Sequence, residues 1–173
     1  FAPGLAAMYK RLSTIGDVFV AAPSDVQSGA GHRISLSEIN CEYVDIAGKF
    51  PGYSVDGSPA DCVKLAINEL FDAVGKFDLV VSGMNHGANV GINVFYSGTV
   101  AGAIEAAFYN IPAIAVSAAY EESLDIESAA DYAIDVIKQL LDVPAGWVTN
   151  LNIPPLSKGK PKGLLVVPQS THG

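Results

Sequence analysis

The chain is poor in cysteine, with Cys41 and Cys62 alone among 173 residues, too few for a disulfide framework. Neither cysteine has a metal-ligand spacing, so the expectation is free thiols in a reducing cytoplasm. Basic residues are scarce too. Ten Lys and Arg against eighteen Asp and Glu give a net charge of −8, which argues against a surface for a nucleic-acid polymer. An acidic chain can still bind an anion through a metal ion or oriented backbone N–H groups. A long uninterrupted apolar run is missing. The most apolar stretch, Val100–Tyr120, contains Glu105, Asn110 and Pro112 and reads as helix, turn and strand, so no membrane partner is expected. No charged and then apolar leader opens the sequence, which starts at Phe1.

Several catalytic signatures are absent as well. There is no G-x-G-x-x-G after a strand, no G-x-x-x-x-G-K-[ST], no G-x-S-x-G, no H-E-x-x-H and no C-x-x-C. Dinucleotide oxidoreductase, P-loop NTPase, α/β-hydrolase and zinc protease are each disfavoured. What is present is an apolar half of the composition with only 16% charged residues, which excludes disorder and suffices for one core.

Leu5, Met8, Tyr9 and Leu12 have i, i+3, i+4, i+7 spacing, which predicts a helix over 3–14 with Pro3 in its first turn. DVFVAA, residues 17–22, predicts a strand buried on both faces. A polar Gly-rich loop follows over 24–33, and 34–56 predicts a β excursion of two or three short strands. Ser58 caps the next helix, with Pro59 first and Asp61 three residues after the cap. Its apolar face is Val63, Ile67, Leu70, Phe71 and Val74. Further strands are expected at 77–81, 112–117, 148–153 and 164–167, and helices at 99–109 and 126–141. Helices alternating with short apolar strands predict an α/β fold, a three-layer sandwich around a mostly parallel sheet.

In such folds ligands bind beyond the carboxyl ends of the strands. The loop 82–97, SGMNHGANVGINVFYS, is expected to be long and without structure of its own, a feature that points to function. Its glycines allow close backbone approach, and its asparagines offer carbonyl oxygens to a cation or N–H groups to an anion. It ends at Ser97-Gly98-Thr99, where a helix start presents free N–H groups, a natural phosphate seat. Taken singly, Ser97 and Thr99 are equally well explained as helix caps. In the earlier loop, Ser28 beside Gly29 offers a hydroxyl to a metal or a phosphate. His32 and His86 lie in these loops as possible acid–base groups, though loop histidines are commonly only solvated.

The segments AAPSDVQSGAGHRISL, VDGSPADCVKLA, FDLVVSGMNHGANVGINVFYSGTVAGAIEA and IPAIAVS, in this order, resemble the SurE family of metal-dependent 5'/3'-nucleotidases. SGMNHGANVG followed by YSGTV carries most of the specificity. The resemblance runs from Phe1 to Pro154, nearly the whole chain. It implies a Rossmann-like core and a phosphomonoesterase that hydrolyses nucleoside monophosphates with one divalent cation. It further implies Ser28 and Asn85 as metal ligands, and Asn89, Ser97, Gly98 and Thr99 at the substrate phosphate. Such hard oxygen donors suit Mg²⁺ or Mn²⁺. In the family, two adjacent aspartates complete the metal site just before the segment matching Phe1–Gly4, and a C-terminal portion used in oligomer contacts lies beyond this sequence. Residues 1–173 are therefore expected to form one SurE-like domain truncated at both ends. The expected assembly is a cytoplasmic homodimer or homotetramer. The alternatives are a non-catalytic nucleotide- or phosphate-binding homologue, or a phosphatase for polyphosphate or another phosphomonoester.

Overall fold

In the computed structural model the described residues are 2–46, 50–70 and 77–172. The chain opens with α1, Pro3–Leu12, which has Pro at its start and Lys10 and Arg11 in its last turn, where they complement the helix dipole. β1 is Ala21–Pro23, and β2, Cys41–Ile46, and β3, Phe50–Val55, form an antiparallel pair. α2, Pro59–Leu65, continues into a wider turn over Ala66–Leu70. β4, Val80–His86, is followed by a 3₁₀ segment, Gly91–Tyr96, and α3, Gly98–Phe108. β5, Ala113–Ala118, α4, Ile126–Gln139, and β6, Val148–Ile153, complete the main elements.

Among the described residues the strands form two three-stranded sheets. The first has the order β1-β3-β2 and is mixed, because β1 runs parallel to β3 and β2 antiparallel to it. The second, β4-β5-β6, is entirely parallel. Its central strand β5 is buried at every position, since it is covered on both faces and paired on both edges. Below it, Ala7 and Met8 of α1 join Ala130, Ala133, Ile134 and Ile137 of α4 in one core. Above it, Val100, Ala103 and Ala106 of α3 pack with Val63 and Ile67. This is the expected three-layer α/β sandwich.

α1 ties the two sheets together. Its other side, Leu5, Ala6 and Tyr9, packs on Val20, just before β1, and on Ile46 and Phe50 of the mixed sheet. The Tyr9 and Phe50 rings stack with centroids 3.9 Å apart. Arg11 pairs with Glu127 and Asp131 of α4, its Nε 2.8 Å from the Asp131 carboxylate.

Several expected elements differ. The strand expected over 17–22 pairs only from Ala21, and the three residues of β1, which among the described residues pairs with β3 alone, are half-buried. The strand expected at 77–81 starts at Val80 and runs on to His86, so the loop 82–97 is not structureless. Its first part is parallel strand paired with β5, and its last part is a 3₁₀ turn. Glycine and asparagine obscured this, because local propensity there yields to pairing with a fully buried strand. No strand forms at 164–167. Leu164, Leu165, Val166 and Val167 are 50 to 89% exposed, and an apolar run without a pairing partner has no ladder to join. Phe71 and Val74, expected on the apolar face of α2, lie outside the described residues. The β excursion at 34–56 and the strand at 148–153 form as expected.

Candidate active site

The site is built on an irregularity in β4. The ladder to β5 pairs Ser82 with Ala115, then slips, and resumes with Asn85 opposite Ser117. Gly83 lies inside the slip with φ +131°, and a Cβ there would stand 2.3 Å from the Val116 carbonyl oxygen. Only glycine fits both the angle and the space. Bulges of this kind re-aim side chains next to active sites. Here the residue re-aimed is Asn85. Its Nδ2 donates to the Gly87 carbonyl at 2.7 Å, which leaves Oδ1 as the acceptor to offer a ligand.

Asn89 is fixed more firmly. It is buried, and its Nδ2 donates to Ser117 Oγ at 2.7 Å. Its backbone N–H donates to Asn152 Oδ1 at 2.8 Å, and its carbonyl accepts from Asn150 and Asn152. One Nδ2 proton remains for a ligand. Asn150, Asn152 and Ser117 were not singled out from the sequence. The signal was available in Asn150-Leu151-Asn152, because alternate residues of a strand share a face.

α3 begins directly after the 3₁₀ segment. Ser97 caps it, its Oγ accepting from Val100 N at 3.1 Å. Ser97 therefore has a structural duty, and its hydroxyl proton is what it can still give. The N–H groups of Gly98 and Thr99 belong to the first turn, which has no intrahelical acceptors. Together with the helix dipole they favour an anion.

The loop 24–33 lies against this helix start. Gly31 N–H donates to the Tyr96 carbonyl at 3.0 Å. A Cβ on Gly98 would meet Pro59 at 3.0 Å and the Gln27 carbonyl at 3.5 Å, so loop and helix approach backbone to backbone. Ser28, one residue on from Gln27, is exposed on that loop. The structure thus brings the Ser28 loop to Ser97, Gly98 and Thr99, and ties Asn89 to the ends of β5 and β6. Asn85 sits at the end of the strand on which α3 packs, with Gly102 close against Ser82.

Beyond Ser28 the loop is clamped by Asp61, which the sequence marked only as a helix-start charge. Asp61 and Ser58 form a capping box. The buried carboxylate also accepts from Ser35 N at 2.9 Å and Ser35 Oγ at 2.8 Å, while Ser58 Oγ donates to the Arg33 carbonyl. Burial pushes this carboxyl up, but the hydrogen bonds from Ser35 and Ser58 outweigh it and hold it below its ordinary value.

The histidines have partners. His86 stacks on Tyr120, centroids 4.8 Å apart, and its Nε2 meets the Glu121 backbone. His32 bonds to Glu105. The cysteines are free, and burial pushes the Cys62 thiol up to about 12, so it is inert. Among the described residues no group of three His, Cys, Asp or Glu could hold a metal ion. Ser28 and Asn85 are hard, neutral oxygen donors. They suit Mg²⁺ or Mn²⁺ in kind.

The family model of the survival protein SurE matches residues 1–173. A relative from Rhodopirellula baltica, "5'-nucleotidase SurE", is 43% identical over 170 residues, 96% of this chain and 67% of that protein. "5'-nucleotidase SurE 1" of Thermus thermophilus is 41% identical, covering 99% of this chain and 68% of the relative. The crystal structure of the SurE protein from Aquifex aeolicus superposes with a TM-score of 0.85 at 37% identity, over 98% of this chain and 68% of that one. The chain spans about two thirds of the length of these relatives. A family match along the whole sequence, with the same fold in a solved member, means that this chain belongs to the SurE family.

Proposed function

We propose that the chain is the catalytic α/β domain of a metal-dependent phosphomonoesterase that hydrolyses nucleoside 5'- and 3'-monophosphates to nucleoside and phosphate. The observation that carries this reading is that β4, bulged before Asn85, is the strand on which α3 packs, and that α3 starts with Gly98 and Thr99, whose first-turn N–H groups have no intrahelical acceptors. That arrangement sits in a chain about 40% identical to proteins named 5'-nucleotidase.

In the proposal, Asn85 Oδ1 and Ser28 Oγ hold one Mg²⁺ or Mn²⁺ together with the two aspartates that the family resemblance implies. When bound, the cation supplies Lewis-acid polarisation of the phosphate and a more acidic water. The protein's own groups do the rest. Gly98 and Thr99 N–H groups, the Ser97 hydroxyl and the Asn89 amide bind the phosphoryl oxygens and stabilise charge developing there. Asn150 and Asn152 hold Asn89 rigid, so little reorganisation is needed as charge builds. A net charge of −8 is compatible with an anionic substrate, because metal and helix start set the local field.

A homodimer or homotetramer in the cytoplasm completes the reading. No helix among the described residues is long and apolar enough to cross a membrane. The test is phosphate release from adenosine 5'-monophosphate with MgCl2 or MnCl2, before and after chelation. Chelator-sensitive release that Asn85→Ala abolishes is the expected result. Release unaffected by chelator overturns the metal assignment, and nucleotide binding without release favours the non-catalytic alternative.

A further inference from the structure

Glu105 is a carboxylate in the wrong place for a carboxylate. It lies on α3 at 6% exposure, between Val100, Ala103 and Ala106, the residues that form the upper core. A buried charge is retained only where it is paired. Its partner is His32, whose Nε2 is 2.7 Å from Glu105 Oε2. In the tautomer with its proton on Nε2, the ring donates to the carboxylate. The His32 ring also stacks on Phe108, one helical turn from Glu105, with centroids 5.6 Å apart and planes 11° apart. His32 is thus gripped at its edge and on its face by the same helix.

His32 belongs to the loop that carries Ser28. That loop meets α3 and the end of the 3₁₀ segment before it at three points: Gln27 against Gly98, Gly31 N–H on the Tyr96 carbonyl, and His32 on Glu105. The first two are backbone contacts at the helix start. The third is the side-chain anchor, about two turns along the helix.

We propose that His32 is a positioning residue, a latch that Glu105 holds so that Ser28 stays over the start of α3, where the cation and phosphate of the proposed reaction bind. This rests on the phosphatase reading above. It adds that a buried helix residue, remote from the substrate, sets the affinity for the divalent cation. Residues that orient a metal ligand typically change metal affinity about 10- to 100-fold when removed.

The test uses the full protein and MnCl2 alone as the probe, by titration calorimetry, with hydrogen exchange of residues 27–35 beside it. His32→Ala and Glu105→Ala are expected to weaken Mn²⁺ binding at least about tenfold and to speed exchange in the loop. The double variant is expected to bind no more weakly than the worse single one, because both changes open one latch. His32→Gln, whose amide can donate to Glu105, restores binding. Glu105→Gln keeps the shape of the core and gives a smaller loss, so the test survives if Glu105→Ala fails to fold. Faster exchange with unchanged Mn²⁺ affinity overturns the proposal and leaves a purely structural pair. Additive losses in the double variant overturn it too. Failure of the wild type to bind Mn²⁺ overturns the phosphatase reading and this one together. Wild-type binding and turnover retained in His32→Ala overturn this one alone.

Discussion

Asp61→Asn isolates one polar cluster and gives a magnitude that follows from geometry. The carboxylate accepts Ser35 N on Oδ1, and Ser35 Oγ and Ser58 N on Oδ2. An asparagine replaces one oxygen with an NH2 group. In either amide orientation that group faces a backbone N–H, of Ser35 or of Ser58, and two donors then oppose each other. The Ser35 hydroxyl can rotate and adapt, but a backbone N–H cannot. One charge-assisted bond is lost, about 1.5–3 kcal/mol, and one buried N–H goes unsatisfied, about 1–3 kcal/mol. A destabilisation of about 3 kcal/mol is expected, which in a domain of this size lowers Tm by roughly 6–12 °C. The pH dependence supplies an internal control. Because the folded carboxyl is held below its ordinary value, its contribution is full above the unfolded pKa, near 3.9 for Asp, and is lost as pH falls through the folded value. Thermal and urea unfolding of both proteins at pH 7 and in steps below pH 4 measure this. The gap between wild type and variant should be widest at pH 7 and close in acid. A gap under about 0.5 kcal/mol at pH 7, or one that widens in acid, refutes the reasoning.

Gly83→Ala is expected to cost about 3 kcal/mol or more, since the new methyl meets the Val116 carbonyl at a φ that favours glycine; urea unfolding checks it. Asn152→Ala removes a donor and an acceptor that hold the Asn89 backbone, and should lower kcat on adenosine 5'-monophosphate more than it raises KM, as steady-state kinetics will read. Cys41 should react with a thiol reagent at pH 8 well before Cys62, whose thiol burial pushes up to about 12; mass mapping of the labelled cysteines decides. Ser97→Ala should lower stability by about 1 kcal/mol through loss of the α3 cap, besides any loss of phosphate affinity.

The helices were legible because their signals are local. Pro3 at the start of α1 and the Ser58-Pro59-Asp61 start of α2 need no knowledge of the rest of the chain. Strand boundaries were less so, because a strand exists only where a partner pairs with it. DVFVAA and LLVV are more apolar than β6, VTNLNI, yet the first pairs only at its end and the second is solvent-exposed. The division into two sheets depends on which edges meet, and no residue encodes that by itself.

The same distinction runs through the site. Ser28, Asn85, Asn89 and the Ser97–Thr99 start stand in dense motifs, and motif density is visible in one dimension. Their supports are not, because each sits on a different element from the residue it serves. Glu105 is one polar letter in a helix that otherwise reads as core, and Asn150 and Asn152 read as strand surface. Only the fold brings Glu105 under His32, and the two asparagines under Asn89. Once it does, burial supplies the argument that sequence could not. A carboxylate at 6% exposure and a buried asparagine amide are each costly unless paired, so the pairing partners are the residues whose loss the site should feel. A scan restricted to the motif would therefore miss the positions that hold the motif in place.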